Sequence, residues 1–301
     1  MESLYNFVAG WFGGCAGVIV GQPLDTVKVR MQATGKLPGN KQLSSWKCFT
    51  GIIKNESVFG LFKGMASPLS MLAFQNAVIF CVHSTILERF QYRRPDGSNT
   101  IGQIAFAGSV AGLAQVPLIA PVDLVKIKLQ MQTEAKRSTR SVYRGPVDCL
   151  VKLYRSRGLA GCFQGNTVTA VRDIPGFAVY FGVYELLCDW FSNLFGSRGV
   201  ATYLMAGGFA GVVSWASTFP FDVIKSRIQA DGNLGKFRYK GMMDCALQSY
   251  KEEGMIVFTR GIWPTLLRGF PSSAAIFAVH GVVVGLFKDR HSRTSTESVS
   301  F

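Results

Sequence analysis

Long uncharged runs alternate with short polar ones along this 301-residue chain. Uncharged stretches of near-membrane length recur at 4–24, 64–87, 101–122, 200–221 and 269–287. A sixth, 164–191, is interrupted by Arg172-Asp173 and, near its end, by Glu185 and Asp189. About 20 residues of helix cross a bilayer core, so the pattern predicts six spans, two to each third of the chain. Between the members of each pair lies a short amphipathic helix, predicted at 44–56, 143–157 and 239–253.

The thirds are copies of one unit. Pro23-Leu-Asp25-Thr-Val-Lys28-Val-Arg30-Met-Gln32 is matched by Pro121-Val-Asp123-Leu-Val-Lys126-Ile-Lys128-Leu-Gln130 and Pro220-Phe-Asp222-Val-Ile-Lys225-Ser-Arg227-Ile-Gln229. The copies lie 98 and 99 residues apart, and each closes an uncharged run. A GxxxG pair precedes each one, Gly10/Gly14, Gly108/Gly112 and Gly207/Gly211, always 13 and 9 residues before the proline. Glycines four apart leave a flat face on which a second helix can approach in lipid. Each proline is expected inside a helix that continues through the basic end, and should kink it.

Asp and Lys three residues apart share a helix face, which leaves two readings of the motif. Three local surface pairs would each be worth about 0.2–0.5 kcal/mol. Alternatively, three kinked helices around a pseudo-threefold axis bring six charges together at one end of a cavity. Ionisable groups at membrane depth are costly unless they face a protein interior or water. Because the repeats share the acid, the base and the proline, the ring is the favoured reading.

Composition narrows the class. Residues are 48% hydrophobic and only 17% charged, against about a quarter charged in soluble chains. The formal net charge of +14 sits beside the spans and in the longer loops, at Lys136, Arg137, Arg140, Arg144, Lys236, Arg238 and Lys240. That distribution suits loops held near anionic lipid and argues against nucleic-acid binding. The seven cysteines form no CxxC and read as reduced packing residues. Neither a secretory signal nor an Arg-rich transit peptide opens the chain, so targeting is expected to be internal. With no metal-ligand spacing, no nucleophile–base set and no GxGxxG, neither an enzyme nor a cofactor or metal is expected.

The tripled motif resembles that of the mitochondrial carrier family (solute carrier family 25) over nearly the whole chain, to about residue 289. The resemblance implies an all-α membrane protein: six transmembrane helices in three pseudo-threefold repeats, each with a short matrix-side amphipathic helix. The repeats are expected at 1–98, 99–196 and 197–289, followed by a disordered polar tail, 290–301. It further implies alternating access around a central cavity in the mitochondrial inner membrane, with both termini toward the intermembrane space and a monomeric state. In the matrix gate Asp25 would pair with Lys126, Asp123 with Lys225, and Asp222 with Lys28. Gln32, Gln130 and Gln229 take the brace positions, each able to hydrogen-bond beneath an ion pair. The cytosolic gate departs from the family pattern. Aligning on Gly64, Gly165 and Gly261 gives His83-Ser84 with Leu87, Tyr184-Glu185 with Cys188, and His280-Gly281 with Val284, so only Tyr184 and Glu185 survive. That gate is expected to close by packing more than by ion pairs. Gly64, Gly165 and Gly261 open helices which, in the family, bind cardiolipin, since helix N-termini suit phosphates. Four positions near these glycines depart from the second family motif: Ser57, Arg157, Gln164 and Thr259.

Seven residues after each of those glycines lies the family's substrate contact position, here Met71-Leu72, Arg172-Asp173 and Arg268-Gly269. Arginine's planar fork suits a carboxylate and Asp173 suits an ammonium; a purely structural Arg–Asp bridge is the competing reading. Tyr180 and Trp215 could supply cation–π contact to a methylated ammonium, or could simply pack. Gln22, Asn76 and Gln115 are further polar candidates. The apolar Met71-Leu72 argues against a polyanionic nucleotide. The contact point resembles those of amino-acid and carnitine/acylcarnitine carriers, and other stretches resemble choline-linked family members. The expected cargo is therefore a small cationic or zwitterionic metabolite, choline-like or a methylated amine, or an amino acid or carnitine. A fatty-acid-dependent proton leak and a non-transporting membrane adaptor are the alternatives.

Overall fold

The computed structural model of the chain describes residues 2–33, 44–90, 99–132, 143–197, 199–232 and 237–269, and then 271, 272, 274–276, 278, 279, 282 and 283. Every regular element among them is helical. Long helices are α1 (Glu2–Ala33), α3 (Ala66–Glu88), α4 (Ile101–Gln130), α6 (Asn166–Phe195) and α7 (Val200–Ala230). A last one, α9, starts at 262 and continues through the described residues up to 283. Short helices α2 (Ser45–Glu56), α5 (Pro146–Cys162) and α8 (Met242–Glu253) join the members of each pair. The fold is therefore that of six transmembrane helices with short intervening helices.

Each motif proline lies inside an unbroken helix, Pro23 in α1, Pro121 in α4 and Pro220 in α7. α6 packs between α4 and α7, and α3 lies against α4. Among the described residues, the GxxxG pair of α4 is the one that meets a neighbouring backbone. A Cβ on Gly108 would lie 2.7 Å from the Phe177 carbonyl oxygen, and one on Gly112 would lie 2.8 Å from that of Asp173. Among the described residues Gly10 and Gly211 have nothing within 4 Å, while Gly14 meets the Leu72 side chain. On α1, close approach also continues beyond the pair, at Gly17 and Gly21 against α9. Shared ancestry keeps the motif, while the tilt of each helix decides which glycine is used.

At the motif end each short helix buries a cysteine against the end of its long helix. Cys48 packs with Val27, Met31, Ile52 and Leu61; Cys149 with Leu124, Val125, Leu129, Leu153 and Cys162; Cys245 with Val168, Ile224 and Ile228. All seven cysteines are free thiols. The backbone then turns through one extended positive-φ residue per repeat: Ser57 (φ 64°, ψ 177°), Gly158 (64°, −156°) and Gly254 (72°, −168°). Ser57 is the one residue other than glycine with positive φ among the described residues. Large apolar side chains such as Phe74, Phe80, Phe106, Trp190 and Phe209 point outward, as lipid contact requires.

Candidate functional site: a central cavity closed by a charged ring

A cavity of about 550 Å³ lies on the bundle axis, lined from α1, α3, α4, α6, α7 and α9. Its wall holds five cations, Lys28, Lys126, Lys225, Arg172 and Arg268, and four carboxylates, Asp25, Asp123, Asp173 and Asp222. At the motif end the acids and lysines join repeat to repeat. Asp25 pairs with Lys126, Asp123 with Lys225 at 2.5 Å and Asp222 with Lys28 at 2.7 Å. Each acid thus reaches across to another helix, because a lysine three residues on points toward the neighbouring repeat.

The two cavity arginines also reach the ring. Arg172 donates Nη1 to Asp173 at 2.7 Å and sets Nε 2.7 Å from Asp222. Arg268 donates to Asp25 at 2.7 Å and lies over the Trp215 ring at 5.2 Å from its centroid. Asp173, only 3% exposed, also accepts from Gln115 Nε2 at 3.2 Å, and Gln115 accepts from Gln75 Nε2 at 3.1 Å. Gln75 was missing from the polar candidates read from the sequence. Its neighbour Asn76 is exposed and does not line the cavity, because α3 is rotated to turn Gln75 inward. Gln22 is spent on the Lys63 carbonyl at 3.1 Å. On α3, Leu72 lines the cavity and Met71 does not. Tyr180 and Trp215 both line it.

The three motif glutamines are fully buried, but their amides meet neither the ring carboxylates nor the ring lysines. Gln130 donates to the Thr26 hydroxyl at 3.2 Å and Gln32 accepts from the Ser226 hydroxyl at 2.8 Å. The Gln229 side-chain amide has no hydrogen-bond partner among the described residues; the position matching Thr26 in the second repeat is Leu124. Gly64, Gly165 and Gly261 press on these same side chains. They have φ of 79°, 82° and 85°, and a Cβ on each would meet Gln130, Gln229 and Gln32 respectively. Their local requirement for glycine is thus close packing in the left-handed region.

Behind the ring, two repeats carry a buried ion triad. Glu56 holds Arg30 and Lys63, and Glu253 holds Arg227 and Arg260. Burial raises the Glu56 pKa, but hydrogen bonds from Arg30 and Lys63 outweigh it and keep the carboxyl below its ordinary range. The second repeat has Lys128, Arg157 and Gln164 at these positions, with no acid. Lys128, 1% exposed, donates to the Asp231 backbone carbonyl instead, and Arg157 lies over Phe237 at 3.7 Å.

Toward the other end the wall is aromatic. His83 stacks on Phe181 at 4.0 Å, Tyr180 faces Tyr184 at 6.3 Å, and Glu185 is half-buried beside Tyr184. His280, Gly281 and Val284 lie outside the described residues, as does the tail from 290.

Six helices in three related pairs, with a polar cavity closed at one end by an inter-repeat ring, define a membrane carrier rather than an enzyme. Sequence comparison gives the same answer independently. A family model described as "Mitochondrial carrier protein" matches residues 1–94, 97–194 and 196–291. The chain belongs to the mitochondrial carrier family and is a multi-pass inner-membrane transporter of a metabolite. It is 41% identical over 312 residues to solute carrier family 25 member 48 of Bos taurus, covering 97% of this chain and 98% of that one. It is 43% identical over 296 residues to the mitochondrial basic amino acids transporter of Bos taurus, covering 98% and 96%. Solute carrier family 25 member 47-B of Danio rerio is 38% identical over 292 residues, covering 95% and 99%.

Proposed function

We propose that this carrier moves a small zwitterionic metabolite, one bearing an ammonium and a carboxylate, by alternating access with no chemical step. The observation that carries this is the pair of guanidinium groups, Arg172 and Arg268, sharing one cavity with the carboxylate of Asp173. A planar fork recognises a carboxylate and a desolvated acid recognises an ammonium. About 550 Å³ suits a ligand of amino-acid size. The name of the basic amino acids transporter among its relatives is consistent with that class. A methylated ammonium such as choline is the second reading, favoured by Tyr180 and Trp215 on the cavity wall. Against it, the Trp215 ring already has Arg268 over its face.

In this reading the ring is the matrix gate, the aromatic end is the cytosolic gate, and both termini face the intermembrane space. The helix starts after Gly64, Gly165 and Gly261 remain the candidate cardiolipin sites. The test is uptake into proteoliposomes of a basic amino acid, carnitine and choline by the wild type and Asp173→Asn. Amino-acid uptake that falls at least tenfold in the variant is expected, since a charge-assisted contact contributes about 1.5–3 kcal/mol. Choline uptake without amino-acid uptake would establish the second reading. An absence of flux would leave an adaptor, and proton flux without substrate a leak.

A further inference from the structure

The junctions between repeats share one plan, and that between the second and third departs from it. Arg30 and Lys63 donate to the Gln130 and Gln132 carbonyls at the end of α4, while Glu56 holds both cations. Arg227 donates to the Gln32 carbonyl of α1, and Glu253 holds it together with Arg260. At the remaining junction Lys128 donates to the Asp231 carbonyl. Gln164 Nε2 donates there too, at 3.2 Å, and to the Ile228 carbonyl at 2.6 Å. No acid matching Glu56 or Glu253 stands behind them: Arg157 takes that place in the sequence and turns away over Phe237. The Asp231 carboxylate does not fill in, because the backbone N–H groups of Gly232, Arg238 and Tyr239 take it.

What this junction has instead is a set of orphaned amide atoms. Gln164 Oε1, Asn166 Oδ1 and both amide atoms of Gln229 are buried without a hydrogen-bond partner among the described residues. They gather at the last turn of α7. Gln164 lies along that turn, Asn166 opens α6, and a Cβ on Gly165 between them would be 2.8 Å from the Gln229 side chain. The positions of Gln164 and Asn166 are Lys63 and Met65 in the first repeat, and Arg260 and Ile262 in the third. Amides thus replace a cation and an apolar side chain in this repeat alone.

A buried polar atom left unpaired costs its full desolvation, so four at one place call for a ligand. The atoms present define its class. Three amide oxygens repel an anion, and the buried Lys128 ammonium repels a cation. With the Gln229 N–H groups beside them, they suit a neutral ligand that both donates and accepts. Room is left for it where a glutamate carboxylate stands in the other repeats, since Arg157 turns outward. We propose that this junction holds buried water, which joins Gln229 to Gln164 and Asn166 and stands in for the ion triad. The second and third repeats are then tied by neutral, exchangeable bonds where the other two junctions set an acid between two bases.

The experiment measures the unfolding temperature of Gln229→Met, which nearly keeps the volume and removes both amide atoms. If those atoms bond to water, the substitution should lower it by about 2–5 °C. In a dry site an apolar group of the same shape is better tolerated than two orphans, so a rise overturns the proposal. The substitution is repeated in a chain carrying Arg157→Glu and Gln164→Lys, which restores the triad and displaces the water. There Gln229→Met should no longer lower the unfolding temperature, because its amide has no water left to lose. An equal loss in both chains would give Gln229 a partner other than the shared water and also overturns the proposal. Should the doubly substituted chain not fold, Arg157→Glu alone serves as the background. Oxygen-17 relaxation of water reads the site independently of stability. A long-lived water present in the wild type and lost with the triad restored is expected; its absence from the wild type overturns the proposal.

Discussion

Ser57 stands at φ 64°, ψ 177°, a region open essentially to glycine alone, where the other two repeats use Gly158 and Gly254. Strain of this kind costs about 1–3 kcal/mol. Replacing it with glycine also loosens the unfolded chain, which takes back about 0.4–1 kcal/mol. Nothing else is forfeited: the Ser57 side chain makes no capping hydrogen bond, and its N–H to Ile53 (3.1 Å) is backbone. Ser57→Gly should therefore stabilise the protein by about 0.5–2 kcal/mol, a rise of about 2–5 °C in unfolding temperature. The converse, Gly254→Ser, should lower it by a similar amount. Buried native thiols provide the assay, since a thiol-reactive dye reaches Cys48, Cys149 and Cys245 only on unfolding. An unchanged or lower unfolding temperature for Ser57→Gly would refute the claim that this turn is strained.

The same measurement checks three further expectations. Arg157→Glu returns to the second repeat the acid that Glu56 and Glu253 supply in the others, beside buried Lys128. It should gain about 1–2 kcal/mol net of the lost Phe237 contact, and a lower unfolding temperature would mean that Lys128 accepts no anion there. Alanine at Gly64, Gly165 and Gly261 should each cost at least about 1 kcal/mol in cardiolipin-free detergent. The costs should rank in that order, because a Cβ meets the Lys126 backbone oxygen at 2.7 Å, the Gln229 side chain at 2.8 Å and the Gln32 side chain at 3.3 Å respectively. Equal stabilities without the lipid would shift the role of these glycines to lipid binding. Burial pushes the thiols of Cys48 and Cys245 up to about 11 and that of Cys149 to about 12. In the folded protein their labelling rate should therefore still be climbing with pH at pH 9 and above, where that of an ordinary thiol of pKa about 8.5 has levelled off. A rise following an ordinary thiol curve, read by mass spectrometry, would contradict their burial.

Much of the machine is written in short stretches of chain. Six long helices follow from uncharged runs, the threefold repeat from the recurrence of Pro, Asp and Lys, and the turn chemistry at Gly64, Gly165 and Gly261 from glycine itself. These are local properties, because a helix and its turns are set by residues a few positions apart. What the sequence left open are the matters decided by how each helix is rotated and tilted against partners about a hundred residues away. Gln75 faces the cavity and Asn76 does not; among the described residues, Gln130 finds Thr26 while the Gln229 amide finds nothing, and one GxxxG pair of three touches a backbone. The reach of Arg172 and Arg268 down to Asp222 and Asp25 belongs here too. A contact point and a gate, separate features along the sequence, become one charged network because a guanidinium on a long flexible stem spans the distance that packing leaves between them.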